Sequence, residues 1–321
     1  MFNLQKAFPT QSLTDLREIQ EGLEKVFKVS EYLDFPFTVE EVANYFLPKV
    51  KITSEQLRSM IMAGDFRNIP FHVRDDNLVT SSTQSEFSRL EREQMSAAKL
   101  ESASRFSRLL KRLVPFIRTV AVTGSTAYGS ADRWDDIDLF IVTKRNRLWL
   151  TAMMTLVLVR LNKIIELRRS HLSPFCLSYV HDENGFALES QKNRTNPLFA
   201  RELLKAKPVA GQDEYRRLLE TNEWVGSFYP MPYLTKVRAL TKPNGHQIEY
   251  PNSSRSSLIL DWAEGIAFVF LSRYLRVRAY LTNLKLKSRG QEFRVFKPKI
   301  SASSCVYTSN FYEWLQSLWG N

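Results

Sequence analysis

Apolar residues recur at helical spacing through most of this chain, and short apolar runs of strand type are concentrated in its middle. From Thr14 to Leu33 the apolar side chains repeat every three or four residues with charges between them, which predicts a first helix. Thr38 with Glu41, and Thr53 with Gln56, have the spacing of capping boxes. They predict two further helices directly after the first.

Two short extended runs follow the third predicted helix, at residues 69–73 and 78–80, and residues 74–77 between them have the composition of a hairpin turn. Three helices and a hairpin are typical of a winged helix, so residues 1–82 are predicted to form a winged-helix-like module. This segment contains nine Lys or Arg and twelve Asp or Glu, a net charge of −3. Because phosphate neutralisation dominates DNA affinity, the charge favours a docking or packing module over a DNA-binding one.

The rest of the chain divides into three further segments. Residues 83–117 lack Gly, and lack Pro before Pro115, and they predict a connecting helix. Residues 118–210 alternate strands with helices, which predicts a core formed by a small mixed sheet with helices against it. Residues 211–321 read as a helical, basic C-terminal region that includes a polar insert at 242–256. The fold class is therefore multi-domain α+β.

The candidate chemistry lies in the core segment, between two apolar runs. The first run ends at Gly124-Ser125, and ten residues later Asp136 and Asp138 open the second run. Two carboxylates two residues apart on a strand share one face, and hard oxygen ligands suit a divalent metal. A Gly-Ser turn that enters a helix offers backbone N–H groups and a favourable dipole to phosphate oxygens. The pattern predicts a site for a metal and a nucleoside triphosphate.

On these residues the chain resembles the DNA polymerase β superfamily of nucleotidyltransferases, whose signature is Gly followed by Gly or Ser, about ten residues, then Asp, an apolar residue and an acid. The resemblance implies that Asp136 and Asp138 are catalytic and bind Mg²⁺, in a site of the two-metal type. It implies that Gly124 and Ser125 bind the NTP. The expected reaction transfers a nucleoside monophosphate to an acceptor that the sequence does not identify, with release of pyrophosphate.

Short stretches of sequence across residues 30–230 also resemble those of one group of predicted prokaryotic nucleotidyltransferase-domain proteins, which have an N-terminal winged-helix-like module. One departure weakens the expectation of catalysis. Active members of the superfamily commonly present a third carboxylate from a later strand, and the predicted strand at 175–180 contains no acid. Asp182 and Glu183 follow that strand and are the candidates for the missing ligand. A nucleotide-binding or regulatory protein without turnover is the alternative reading.

Basic and histidine residues near the motif are weaker candidates. Arg133 and Lys144 flank it and are predicted to contact the nucleotide phosphates, since cationic side chains neutralise phosphate, with solvated strand ends as the alternative. His171 and His181 lie on either side of the third strand without a metal partner nearby in sequence. They are expected to be surface residues. Asp261 and Glu264, one helical turn apart, are expected to pair with Arg273 or Arg276.

The composition suits a protein of the cytoplasm. Two cysteines and four histidines give neither a disulfide framework nor metal-ligand spacing, which predicts a reducing compartment. Residues 1–10 do not have the pattern of a signal peptide. The longest apolar stretch, 148–161, contains Arg160 and is shorter than the roughly 20 residues that a membrane-spanning helix needs. It predicts a buried helix.

Positive charge is concentrated after the first module. The formal net charge is +11, so the −3 of residues 1–82 leaves +14 for the remainder. Residues 271–300 alone hold nine Lys or Arg and one acid, Glu292. This segment predicts either a binding surface for RNA or another polyanion, or a solvated face. A nucleic-acid-associated protein is therefore a second alternative.

Overall fold

The computed structural model describes residues 13–48, 50–66, 69, 72–74, 77–79, 86–166, 174–241, 257–288 and 295–319. The chain forms two compact units, residues 1–92 with 224–235, and residues 93–223 with 236–321. The predicted turn residues 75 and 76, the predicted insert at 242–256, and His171 lie outside the described residues.

The first unit begins with three helices and a small antiparallel sheet. Its elements are helix α1 (Leu13–Leu33), strand β1 (Phe37–Thr38), helices α2 (Val39–Tyr45) and α3 (Ser54–Ala63), and strands β2 (His72–Arg74) and β3 (Asn77–Val79). The strands pair in the order β1-β3-β2. Both predicted capping boxes are confirmed, because Thr38 and Thr53 accept the backbone N–H of Glu41 and Gln56. The assignment to the winged-helix class stays a prediction.

The second unit contains most of the elements. They are α4 (Glu86–Leu113, from residue 93 onwards), β4 (Ile117–Thr123), α5 (Gly124–Tyr128), β5 (Ile137–Thr143), α6 (Leu148–Glu166), β6 (Phe175–Asp182), α7 (Glu183–Lys192), α8 (Pro197–Lys205), β7 (Lys207–Ala210), α9 (Gln212–Glu220), α12 (Leu258–Lys287), β8 (Lys299–Ile300), β9 (Ser304–Val306) and α13 (Asn310–Trp319). Between α9 and α12 lie α10 (Trp224–Phe228) and α11 (Pro230–Leu240), which belong to the first unit up to residue 235.

The central sheet of the second unit has six strands in the order β7-β4-β5-β6-β9-β8. Only β5 and β6 pair in parallel, and every other neighbouring pair is antiparallel. The predicted mixed sheet with helices is thus confirmed. Six of the seven residues of β4 and six of the seven residues of β5 are buried, as their apolar runs require of strands covered on both faces.

Helices cover both faces of this sheet. On one face, α4, α6 and α12 contribute to a core in which the Phe106 ring stacks on Phe175 with 4.4 Å between centroids. On the other face, Phe140 of β5 contacts Phe186 of α7 and Tyr215 of α9, with ring centroids 5.8 and 6.3 Å apart. None of the helices in the described ranges combines the length and hydropathy that a membrane crossing needs.

Helix α12 stabilises the start of helix α6 through two acids. Glu264 accepts hydrogen bonds from the backbone N–H groups of Trp149 and Leu150, at 2.7 and 2.8 Å. Asp261 pairs with Arg147 at 2.7 Å. The expected pairing of both acids with Arg273 or Arg276 is wrong, because Asp261 pairs with Arg147 and Glu264 satisfies backbone N–H groups that the start of α6 leaves without partners.

His181 is buried rather than on the surface. It is 1% exposed, and its ring lies 6.1 Å from Phe140 and 6.2 Å from Phe186 between centroids. Burial lowers the pKa of His181 to about 4, so the imidazole is neutral at pH 7. The residue is part of the core, and the expectation of a surface histidine fails because β6 continues through position 182.

Candidate active site

The two halves of the motif lie at the same end of neighbouring strands. Strand β4 ends at Thr123 and β5 begins at Ile137, and because the strands are antiparallel, Thr123 pairs with Asp138. The chain after β4 and the acids at the start of β5 are therefore side by side. This register brings together the four residues Gly124, Ser125, Asp136 and Asp138.

Gly124 lies directly against a carboxylate of the pair. Its φ angle is +64°, in the left-handed region that other residues adopt only with strain. A Cβ atom added to Gly124 would collide with Oδ2 of Asp138. Both the backbone conformation and this contact require glycine, so the turn and the carboxylate form one surface.

The helix after the turn is too short to provide the helix dipole that was expected to favour phosphate binding. Helix α5 comprises only residues 124–128, and Gly129 ends it in the left-handed conformation. Five residues form little more than one turn, so few peptide dipoles align. The backbone N–H groups at Gly124 and Ser125, rather than a helix dipole, are what this turn offers to a phosphate.

The two acids differ in environment. Asp136 is exposed, whereas Asp138 is half-buried and accepts a hydrogen bond at Oδ1 from the Ser178 hydroxyl. Burial first, and then repulsion from Asp136, raise the pKa of Asp138 to about 7, while the Ser178 hydrogen bond opposes this shift. A cation bound between the two carboxylates would offset this repulsion.

One atom from Asp136, one from Asp138 and Sγ of Cys176 all lie within 4.8 Å of one another. Cys176 is buried, and burial raises the pKa of its thiol far above the usual value, so it stays protonated. A neutral thiol is a poor partner for Mg²⁺, which prefers oxygen. The donor set of this cluster for Mg²⁺ is therefore the two carboxylates.

Asp182 and Glu183 do not reach the acidic pair. Because β6 is parallel to β5, Asp138 pairs with Cys176, and Asp182 pairs with Thr143 at the other end of the strand. That separation is about 16 Å at the usual rise per residue. The expectation that either acid completes the site is overturned by this register.

Asp182 and Glu183 instead form hydrogen bonds at their own end of the sheet. Asp182 accepts the N–H groups of Gly185 and Asn146, at 2.8 and 2.9 Å. Glu183 accepts from Nε of Arg118 at 2.7 Å. The side chains of β6 that do lie beside the pair are those of Cys176 and Ser178, neither of which is an acid.

Lys144 lies at the end of β5 that is far from the acidic pair, whereas Arg133 precedes the end of β5 that carries the pair. Lys144 follows Thr143, and its N–H donates to Phe116 O at 2.8 Å, so it lies about 20 Å along the strand from Asp138. Arg133 is exposed in the loop before Asp136, with its guanidinium 5.2 Å from the ring centroid of Trp134. Of the two predicted phosphate contacts, only Arg133 belongs to the loop that leads to the acids.

Lys99 of α4 holds the loop before the acids. Its side chain is fully buried, and Nζ donates to the backbone carbonyl oxygens of Asp132 and Asp135, the latter at 2.6 Å. Burial lowers the pKa of Lys99, while the nearby carboxylates, Asp135 first, oppose that shift. Sequence reasoning missed this residue. The sequence feature that could have indicated it is its position, because Lys99 falls on the same buried face of α4 as Ala103, Phe106 and Leu110.

A second group missed from the sequence lies at the end of α5. The Tyr128 hydroxyl donates to Oε1 of Glu202 at 2.6 Å. Arg201 and Lys205 lie over the same ring, at 5.9 and 5.2 Å from its centroid. Helix α8 thus places two cations and a carboxyl beside the short helix that begins at the Gly-Ser turn. The sequence feature that could have indicated this group is the presence of Arg201, Glu202 and Lys205 in a helix whose other residues are apolar.

Comparison with known families agrees with this geometry. Residues 103–209 match the family model described as a nucleotidyltransferase domain. This range contains both halves of the motif, β6 and α8, and it is consistent with the DNA polymerase β superfamily. Searches of curated proteins and of solved structures found no match. Residues 103–209, about one third of the chain, are therefore similar to a nucleotidyltransferase domain.

Proposed function

We propose that this protein transfers a nucleoside monophosphate from an NTP to an acceptor hydroxyl or phosphate, with Mg²⁺ bound by Asp136 and Asp138. Pyrophosphate is the second product. Gly124 and Ser125 bind the triphosphate through the turn. The observation that supports this proposal is the contact of the Gly124 backbone with the Asp138 carboxylate at the shared end of β4 and β5.

The residues present suit a magnesium ion. Mg²⁺ commonly binds proteins through one or two carboxylates and takes its other ligands from water and substrate phosphates. Asp136 and Asp138 provide those two carboxylates, one of them exposed to incoming phosphate. When bound, the metal would neutralise charge on the reacting phosphate oxygens. With Cys176 and Ser178 on β6, this donor set suits one ion better than two.

The chain's own cations have complementary roles in the proposed reaction. Arg133 lies in the loop beside Asp136, and Arg201 and Lys205 lie beside α5. Cationic side chains here would offset the charge of the leaving pyrophosphate. Lys99 has an indirect, positioning role. It fixes the backbone of Asp132 and Asp135 and thereby the position of Asp136.

A nucleotide-binding protein without transfer is the second candidate function. The strand next to Asp138 places Ser178, hydrogen-bonded to it, and the neutral thiol of Cys176 where a third carboxylate would be expected. Such a protein would bind NTP with Mg²⁺ and release no pyrophosphate. Calorimetry alongside a pyrophosphate assay separates the two candidates.

The remaining parts of the chain have proposed roles that follow from the sequence. Residues 1–82 are proposed as a winged-helix-like docking module, 83–117 as a connecting helix, 118–210 as the catalytic core and 211–321 as the helical, basic region. Residues 271–300 are proposed as a contact for RNA acceptors or other polyanions. Cys176 and Cys305 are both free thiols, which supports a reducing compartment such as the cytoplasm.

The direct test is transfer of label from α-labelled NTPs in the presence of Mg²⁺ and pooled RNA, protein and small-molecule acceptors. Asp136→Asn and Asp138→Asn should each abolish labelled product. Asp213→Asn, which changes an acid on α9 outside the motif, should leave the product unchanged. Labelled product that persists in both motif variants would remove the proposed roles of the pair.

A further inference from the structure

The loop between α5 and β5, residues 129–136, presents a large aromatic side chain to solvent. Trp134 is 81% exposed, although it lies only two residues before Asp136. Two residues of chain span at most about 7 Å, so the backbone that carries this indole lies beside the proposed metal-binding pair. A wide apolar ring is thus held in water next to an exposed carboxylate.

The inner side of this loop is fixed against helix α4 by other residues. Ala131 is fully buried, and its N–H group donates to the Ser96 hydroxyl at 3.1 Å. Lys99 is also fully buried and donates to two backbone carbonyl oxygens of the loop. Because these contacts anchor the loop to α4, its attachment to the core does not use the Trp134 ring.

The backbone at Trp134 is fixed as well. Its N–H group donates to Oδ1 of Asp132 at 2.6 Å, and the same oxygen accepts the N–H group of Asp135 at 3.1 Å. The N–H group of Asp132 donates in return to Oδ2 of Asp135 at 3.1 Å. The exposed ring is therefore carried by a closed turn, so a ligand that packs on the ring orders little additional backbone.

The residue beside this indole is a cation. The guanidinium of Arg133 lies 5.2 Å from the centroid of the Trp134 ring, within the range of a cation–π contact. Guanidinium groups bind phosphate oxygens, and the faces of aromatic rings stack on nucleobases. Consecutive residues of one fixed loop thus offer a charge for a phosphate and a ring for a base, which is the combination that a nucleotide needs.

The burial of the two acids indicates which side of the site is open. Asp138 is half-buried on β5, whereas Asp136, the acid nearer to the loop, is exposed. An NTP whose phosphates lie at the Gly124 turn and at the metal therefore has its nucleoside on the side of Asp136. That is the side from which the loop with the indole continues.

We propose that Trp134 stacks on the base of the bound NTP and is a binding residue for the nucleoside part of the substrate. This inference rests on the proposed Mg²⁺-NTP site. Stacking uses the π face that every base has, so it supports the binding of all four NTPs. Purines gain more than pyrimidines, because their larger rings cover more of the indole.

Calorimetry with two ligands, each in the presence of Mg²⁺, tests the stack. One ligand is a non-hydrolysable ATP analogue, and the other is inorganic tripolyphosphate, which has the phosphates without the nucleoside. Trp134→Leu should weaken binding of the analogue about tenfold, within the roughly 5- to 150-fold range for loss of one base–aromatic stack, and leave tripolyphosphate unchanged. Trp134→Tyr should retain most of the affinity. Trp262→Leu is the matched control, since Trp262 is 74% exposed on α12, and it should change neither affinity.

The two ligands also separate failure of the stack from failure of the site. An unchanged affinity of Trp134→Leu for the analogue, or an equal loss for both ligands, would overturn the stack while the unaltered protein still binds both. A loss confined to a single-stranded oligoadenylate would overturn it too, and would assign the ring to the base of an acceptor. If the unaltered protein bound neither ligand, the Mg²⁺-NTP site would be removed and the stack with it.

Fluorescence provides a readout that a purely structural role of Trp134 would not change. A base stacked on an indole quenches its fluorescence, so the ATP analogue should quench part of the emission of the unaltered protein, and tripolyphosphate should not. Trp134→Phe should lose this quenching while it keeps part of the affinity, because the phenyl ring still stacks. Quenching of the same size in Trp134→Phe would contradict contact between the base and this residue.

Discussion

The Nζ atom of Lys99 donates a hydrogen bond of 2.6 Å to the backbone carbonyl oxygen of Asp135, across 36 residues of sequence. The same atom contacts the carbonyl oxygen of Asp132. A buried cation thus fixes the loop that ends at Asp136. The position of the metal-binding pair is set from helix α4 as well as from its own strand.

Replacement of Lys99 by Met should displace this loop. The change removes two charge-assisted hydrogen bonds, each worth roughly 1.5–3 kcal/mol, and it also removes the cost of burying the charge. We expect a lower melting temperature and about a tenfold weaker affinity for Mg²⁺-NTP, measured by calorimetry. Lys99→Arg should recover part of the affinity. An unaltered affinity in Lys99→Met would show that the loop is positioned without this residue.

Replacement of Gly124 by Ala should damage the nucleotide site more than an equivalent change at Gly129. Both glycines have positive φ angles, so both substitutions introduce backbone strain of about 1–3 kcal/mol. Only at Gly124 does the added Cβ collide with Asp138, since the nearest atom at Gly129 is 3.7 Å away. We expect at least a tenfold loss of Mg²⁺-NTP affinity in Gly124→Ala, with near-normal affinity in Gly129→Ala. Equal losses would mean that strain alone matters.

Binding of Mg²⁺ should depend on pH near neutrality. The pKa of Asp138 is raised to about 7, by burial and then by Asp136, so a proton competes with the metal below that pH. Affinity should increase as the pH rises from 6 to 8 and then level off. Ser178→Ala removes a hydrogen bond that favours the charged form and should move the midpoint upwards. A flat profile from pH 6 to 8 would contradict this environment for Asp138.

The raised pKa of Asp138 also predicts how the stability of the metal-free protein depends on pH. Because the pKa of Asp138 in the folded state lies above its ordinary value of 3.8, the carboxyl favours folding at low pH, and this contribution is lost as the pH rises through about 7. Asp138→Asn should therefore be more stable than the unaltered protein at pH 8 without metal. Urea denaturation with and without Mg²⁺ measures the difference, and a less stable variant under metal-free conditions would contradict the prediction.

His181 should make the protein sensitive to acid. Its pKa is about 4 in the folded state and about 6.5 when unfolded, so the unfolded chain binds the extra proton between these values. Stability is full above pH 6.5 and falls towards pH 4, by up to about 3 kcal/mol. His181→Leu should reduce this slope, as measured by the difference between the two proteins in urea denaturation across that range. Parallel pH profiles for the two proteins would show that His181 ionises as easily when folded.

Local patterns in the sequence were sufficient for most elements and for the motif. The capping boxes at Thr38 and Thr53, the glycine-free helix α4 and the apolar strands β4 and β5 are each determined by neighbouring residues. The proximity of Gly124 to Asp138 also follows from local pattern, because a short connection joins two adjacent strands.

Features that depend on distant pairing were not predictable in the same way. Asp182 and Lys144 are near the acidic pair in sequence, yet both lie at the other end of the sheet because β6 pairs in parallel with β5 in one particular register. Lys99 and Glu202 reach the site region from helices whose own sequences do not show what they pack against. Likewise, the partners of Glu264 depend on the packing of α12 against α6, which the sequence of neither helix specifies.

Calorimetric titration with a non-hydrolysable NTP analogue, with and without Mg²⁺, is the most direct test that the Gly124 turn and the Asp136–Asp138 pair form one site. The unaltered protein should bind the analogue in the presence of Mg²⁺ and at least tenfold more weakly without it, and Asp138→Asn should lose the metal-dependent part. Binding that is equally tight with and without Mg²⁺, or that is unchanged in Asp138→Asn, would contradict a shared metal–nucleotide site.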